Sequence, residues 1–207
     1  MPLLLVLQAG MADTVRIRAI DRPPSASAPA DSAGLGPPTV RLRTGQGTAS
    51  LWLVRAADSV FLLASIADST YYWGDDLVIS FDVAGEGGAS PQLDHFQWCF
   101  RRALDSSVVL RGKAGRWAPP RGDPDWRLRR ERSGAGWEVS ATNREDGWTL
   151  RLGLDPGWFT GREDKRPRIA FQIYDDAPHG WFTWPDPRTP AGATLVERTP
   201  ALWVPVE

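Results

Sequence analysis

Hydrophobic and polar positions alternate along much of this chain with a period of two, the spacing that sends successive side chains to opposite faces of a strand. In Tyr72-Trp73-Gly74-Asp75-Asp76-Leu77-Val78-Ile79-Ser80-Phe81-Asp82-Val83, the residues Leu77, Ile79, Phe81 and Val83 fall on one face. Asp76, Val78, Ser80 and Asp82 fall on the other. Leu51, Leu53 and Arg55 alternate with Trp52 and Val54, and Ala56-Ala57-Asp58-Ser59 reads as a turn. Val60 to Ile66 is apolar on both faces, as a central strand is, so the two runs predict a hairpin. The same period returns in Phe96, Trp98 and Phe100 against Gln97, Cys99 and Arg101. It starts again at Trp137 and Val139, and is clear in Trp148, Leu150, Leu152 and Leu154. The last such run sets Ile169, Phe171 and Ile173 against Ala170, Gln172 and Tyr174.

Glycine and proline clusters separate these runs at residues 85–91, 112–124, 134–136 and 185–190. A short turn around Asp155 to Thr160 is the one helix candidate, and Pro156 with Gly157 favours a loop there. Many short strands with turn punctuation and no helical period predict an all-β fold, an antiparallel β-sandwich of jelly-roll type. Pro23, Pro24, Pro29, Pro37 and Pro38, with Ala, Ser and Gly between them, predict an irregular lead-in. The expected organisation is a signal-like segment over 1–12, an extension wrapped on the domain over 13–47, and the sandwich over 48–207.

Composition narrows the function classes. A chain of 207 residues can bury a core without staples. A net charge of −1 argues against a nucleic-acid binder, and the arginines at 127, 129, 130 and 132 are interleaved with Asp123, Asp125 and Glu131. Cys99 is the single cysteine, so no internal disulfide or Cys-rich metal site can form. No run reaches the roughly 20 apolar residues of a membrane helix. Pro2 to Leu7 is apolar and small residues follow at Gly10 and Ala12, which predicts export to the envelope, periplasm or medium, with cleavage after Ala12.

The strand parities set side by side suggest where chemistry could sit. With Leu77/Ile79, Phe96/Trp98 and Ile169/Phe171 in the core, one opposite surface collects Asp76, Ser80, Gln97, Arg101, Gln172 and Tyr174. Carboxylates, amides and a guanidinium suit vicinal sugar hydroxyls. Of the 11 tryptophans, Trp52, Trp98, Trp137 and Trp148 lie within strand patterns and read as core. Trp73, Trp181 and Trp184 stand at strand ends, where they could give flat platforms for pyranose rings. Other chemistries find weaker support. Asp76 with Asp175 or Asp176 is the best carboxylate pair for a glycosidase, and Asp82 with Glu86 is a candidate for structural calcium. A haem site would have to use His95 and His179, since Met1 and Met11 lie in the N-terminal tail. No organic cofactor is expected.

Four segments, in order, resemble the family 9 carbohydrate-binding modules within the wider DOMON-like sandwich group. They are Ala57-Asp58-Ser59-Val60-Phe61-Leu62, Gly74-Asp75-Asp76-Leu77-Val78-Ile79-Ser80-Phe81-Asp82, Gly147-Trp148-Thr149-Leu150-Arg151-Leu152 and Ile169-Ala170-Phe171-Gln172-Ile173-Tyr174-Asp175-Asp176. The resemblance spans roughly residues 48 to 207. It implies a non-catalytic module that holds a terminal sugar between Trp73 and Trp181 or Trp184. Arg101 and Gln172 would bond the hydroxyls, and Asp175 or Asp176 would stand near the family's Asn. Val78 occupies the position where members often carry Glu, and Leu35 lies near the position of a lead-in Trp. The rival expectation is an envelope interaction module that has kept the sandwich and lost the sugar, beside an enzyme or envelope partner.

Overall fold

The computed structural model describes residues 14–25, 34–70, 75–102, 108–118, 133–134, 136–159, 164–175, 180–186 and 196–207. Within them the chain forms two seven-stranded sheets packed face to face, a mostly antiparallel sandwich. The first contains β1 (Arg18–Ala19), β2 (Val40–Arg43), β3 (Thr48–Ala56), β4 (Ser59–Ala67), β9 (Ser133–Gly134), β10 (Trp137–Arg144) and β11 (Gly147–Leu154). Its order is β1-β3-β4-β11-β10-β9, with β2 also paired to β3. The second contains β5 (Asp76–Asp82), β6 (His95–Arg101), β7 (Val108–Lys113), β8 (Arg116–Ala118), β12 (Arg168–Asp175), β13 (Gly180–Trp184) and β14 (Val204–Pro205). Its order is β13-β12-β5-β6-β7-β8, with β14 on β12.

The period-two runs become these strands for the expected reason: each must bury one apolar row. Registers bring Phe171, Ile79 and Trp98 into one inward row and Ile169, Phe81 and Phe96 into the next. From the facing sheet come Leu53, Leu62, Leu152 and Val139, in register across four strands. Trp98, Trp148 and Phe100 are among the largest fully buried side chains. The turn at Pro156–Phe159 is a short 3-10 helix rather than a loop. It delivers Trp158 and Phe159 edge-on to Phe81 and Phe96, which fixes it from inside.

The lead-in does more than wrap. Val40–Arg43, within the expected irregular extension, is a strand of the first sheet. Leu35 packs with Trp52, Val54, Phe61 and Leu63 on that sheet's outer side, and Trp52 Nε1 donates to the Gly36 carbonyl at 3.0 Å. Val15 bridges in parallel to Val206, tying the start of the described chain to its end. A further strand, β8, and the end of β7 lie inside the glycine- and proline-rich stretch 112–124 that sequence punctuation assigned to a connection.

Candidate functional site

Antiparallel pairing places the outward residues of the second sheet in straight cross-strand rows. The first row reads Trp181, Tyr174, Asp76 and Arg101, on β13, β12, β5 and β6. Neighbouring strands lie about 4.8 Å apart, so the row spans about 14 Å across the sheet. The Tyr174 and Trp181 rings are 5.0 Å apart at 48°, and Trp181 is 46% exposed. Arg101 Nε lies 3.4 Å from Asp76 Oδ1, with both side chains partly open to solvent. An apolar platform therefore runs directly into a charged pair that offers both donors and acceptors.

Deeper rows are progressively closed, with Thr183 and Cys99 of the next row half-buried. The second holds Thr183, Gln172, Val78 and Cys99, and the third Ala170, Ser80 and Gln97. Gln97, Gln172 and Ser80 are all buried, and Gln97 Nε2 donates to Ser80 Oγ at 3.2 Å. The cover includes Trp203 and Val196, which pack on Ala170 together with Trp117 of β8. Trp117 and Trp203 stack 6.3 Å apart at 3°. Trp203 also stands edge-on to His95, which with Asp82 and Arg168 makes the fourth row. One end of the outer face is thus roofed by the C-terminal segment, and no described residue roofs the other.

Of the residues expected from sequence, the structure brings Asp76, Arg101 and Trp181 together at the open end. It keeps Gln97 and Gln172 on the same face but buries both. Trp73 lies outside the described residues, as do Asp176 and His179. Two expectations need correction. Trp184 pairs with Phe171 on the inward parity, packs against the main core and stands 5.7 Å from the Phe171 ring, so it is a core residue and not a platform. Asp175 also has inward parity, and it sits in a buried cluster at the sandwich end. Leu35, on the first sheet, lies away from this face.

Of that cluster only Asp175 is a site candidate from sequence; Asp68, Asp75 and Arg102 are not. Asp68, Asp75 and Asp175 offer carboxylate oxygens within 4.8 Å of one another, all buried. Arg102, itself 3% exposed, answers Asp68 at 3.1 Å and Asp75 at 3.5 Å. It also donates to Asn143 Oδ1 and to the carbonyls of Thr70 and Gly147. Asp68, Asp75 and Arg102 fall just beyond the strand runs, where periodicity gives no parity to read. Three hard-oxygen donors could hold a divalent cation, and Arg102 already places one positive charge among them.

The expected calcium pair does not converge. Both Asp82 oxygens accept backbone N–H bonds at 2.7 Å, from Gly85 and Gly87. A side chain at Gly85 would meet the Arg166 carbonyl oxygen at 2.0 Å, so that position tolerates glycine alone. Glu86 instead points outward, 3.8 Å from Lys165. Burial pushes the Asp82 carboxyl above its usual range, against the opposing pull of Gly87, His95 and Gly85. His95 Nδ1 accepts the Gln92 N–H at 2.9 Å, which places the ring proton on Nε2, facing Asp82 and Asp94. That Nε2 makes no hydrogen bond among the described residues, lying 3.6 Å from Asp82 and 3.7 Å from Asp94, and the three side chains stand close enough together to hold a metal ion.

A β-sandwich whose second sheet carries an aromatic and charged row that no described residue covers is the class these observations define. No family model and no curated protein matches the sequence. By structure the chain is similar to a family 9 carbohydrate-binding module from Caldicellulosiruptor kristjanssonii in complex with glucose. The TM-score is 0.58 at 12% identity, covering 94% of this chain and 95% of that one. The same kind of module in complex with cellotriose gives 0.57 at 12% identity, covering 94% and 92%. The chain is a family 9-like domain in fold. No described helix is long and apolar enough to cross a membrane.

Proposed function

We propose that this chain is a non-catalytic carbohydrate-binding module whose ligand lies on the open end of the second sheet. The observation that carries the reading is the row Trp181–Tyr174–Asp76–Arg101. A pyranose C–H face stacks on Trp181, and its hydroxyls bond the Asp76 carboxylate and Arg101 guanidinium. Trp73 is the candidate second platform, on the segment leading into β5. The glucose and cellotriose complexes of the similar modules support this class of ligand. Gln97 and Gln172 act beneath the site, as buried support rather than as direct contacts. Placement outside the cell belongs to the proposal, because polymeric sugars are met there.

Intrinsic tryptophan fluorescence titrated with glucose and cello-oligosaccharides tests it. A saturable shift is expected, and Trp181→Ala should weaken binding at least about tenfold, about 1.4 kcal/mol. Arg101→Ala should do the same. Since Trp181 is exposed, its loss should move stability by no more than about 0.5 kcal/mol. A flat response across the sugars would reject the proposal and favour an envelope interaction module.

A further inference from the structure

We propose a second binding site, independent of the first, in which the cavity beside β7 takes a free medium-chain fatty carboxylate. β7 packs on β6 and β8 and makes no comparable contact with a strand of the first sheet among the described residues. Its inward positions Val109, Arg111 and Lys113 therefore run past the shelter of the sandwich. They leave a cavity of about 780 Å³ walled by Leu93, Phe96, Val109 and Ala118. Leu93 is 61% exposed at its mouth, an apolar side chain with nothing described to cover it.

The walls are held by the rest of the fold. A side chain at Gly112 would fall 2.1 Å from the Gln92 carbonyl oxygen, so the loop carrying Gln92 and Leu93 is pressed directly against β7. Arg111 Nε donates to the Leu93 carbonyl, and its guanidinium lies 5.3 Å over the Phe96 ring. Phe96 is further engaged by Trp98 and by Trp158 at 4.7 Å. With the ring occupied in this way, the surface left for a ligand is largely aliphatic, which suits an alkyl chain better than an aromatic one.

Charge selects the head group. Arg111 and Lys113 are the charged residues among the described lining, and both are cations. Arg111 is committed to the Leu93 loop, whereas Lys113 forms no ion pair with a described residue. An occupant with an apolar body and one carboxylate complements this set: the chain enters over Val109 and Ala118 and the head meets Lys113 at the rim.

Calorimetric titration of the full chain with octanoate, decanoate, dodecanoate and decanol tests the site. Affinity should rise about fourfold per added methylene, as apolar burial requires. Ala118→Phe, which fills the cavity, should abolish binding, and Leu93→Asp at the exposed rim should weaken it even if the first variant misfolds. Lys113→Glu should weaken decanoate at least tenfold and leave decanol unchanged. No saturable heat, or uptake indifferent to both Ala118→Phe and Leu93→Asp, would overturn the proposal. So would capture by phosphatidylglycerol vesicles without uptake of free decanoate, or a concentration-dependent dimer abolished by Leu93→Asp. The sugar titration is separate, so either site can fail alone.

Discussion

Arg102 shows how much one residue can hold in this molecule. It pairs with two carboxylates of a buried cluster of three and reaches the backbone of two other segments. Removing one partner from a buried charge set leaves the others uncompensated, a loss of about 3–5 kcal/mol. Arg102→Met is therefore expected to lower urea-unfolding stability by that amount, while the exposed Trp181→Ala leaves it almost unchanged. Equal, small effects from both would mean that the carboxylates find compensation elsewhere. Cys99 is the opposite case, a residue that does little. Burial first, and Asp76 and Glu197 second, push its thiol well above the usual range, and its Sγ donates weakly to Gln97 Oε1 at 3.7 Å. Reactivity follows the thiolate, so the native protein should resist iodoacetamide at pH 8 and become labelled only in denaturant. Rapid labelling of the folded chain would show that the site is open.

At the scale of elements, the β3–β4 hairpin offers a clean test of turn chemistry. Ala57 adopts a φ of 49° at the first position between the strands, a region that costs an L-residue about 1–2 kcal/mol. Glycine relieves that cost and gives back about 0.5–1 kcal/mol through the unfolded chain. Ala57→Gly should thus raise stability by roughly 0.5 kcal/mol, read as a small increase in denaturation midpoint. The same hairpin illustrates what the sequence makes legible. β3, β5, β6, β11 and β12 each carry an apolar alternation, and a one-residue slip in any of them would expose a row, while β4 is apolar on both faces as a central strand is. The outward set of Asp76, Ser80, Gln97, Arg101, Gln172 and Tyr174 follows from that parity alone. What parity cannot supply is the third dimension above the sheet. Gln97 and Ser80 are closed off beneath a roof that includes Trp203, Val196 and Trp117, residues far away in sequence whose placement depends on the C-terminal segment folding back. β2, β7 and β8 were hidden because Pro38, Gly112 and Gly115 read as punctuation, although Gly112 sits inside a strand at a point of close backbone approach. Trp184 misled for the related reason that proximity to Pro185 suggested a loop, whereas its pairing with Phe171 sets its face.

The whole molecule is closed by that roof, and its closure should depend on pH. Asp82 lies at the roofed end of β5, near His95 and the Trp203 ring that stands against it. Glu197 sits on the covering segment itself, where its backbone carbonyl accepts from Trp117 Nε1 at 3.2 Å. Burial raises both carboxyls above their usual range, with Arg198 opposing the shift at Glu197. In the unfolded chain both groups lose their protons in the ordinary carboxylate range, while the folded chain holds them to higher pH. Across that interval the native state binds more protons, so stability falls as pH rises. The contribution is complete below the unfolded values and is lost once pH has passed through the folded ones. Glu197→Gln keeps the side-chain shape and deletes one titration. The difference in unfolding free energy between the parent and this variant should therefore change across and just above the ordinary carboxylate range, and become constant beyond it. Asp82→Asn should flatten the same interval while also costing stability throughout, because an amide cannot accept from both Gly85 and Gly87. A pH profile of the parent that neither variant alters would show that the roof stays closed without reference to these two groups.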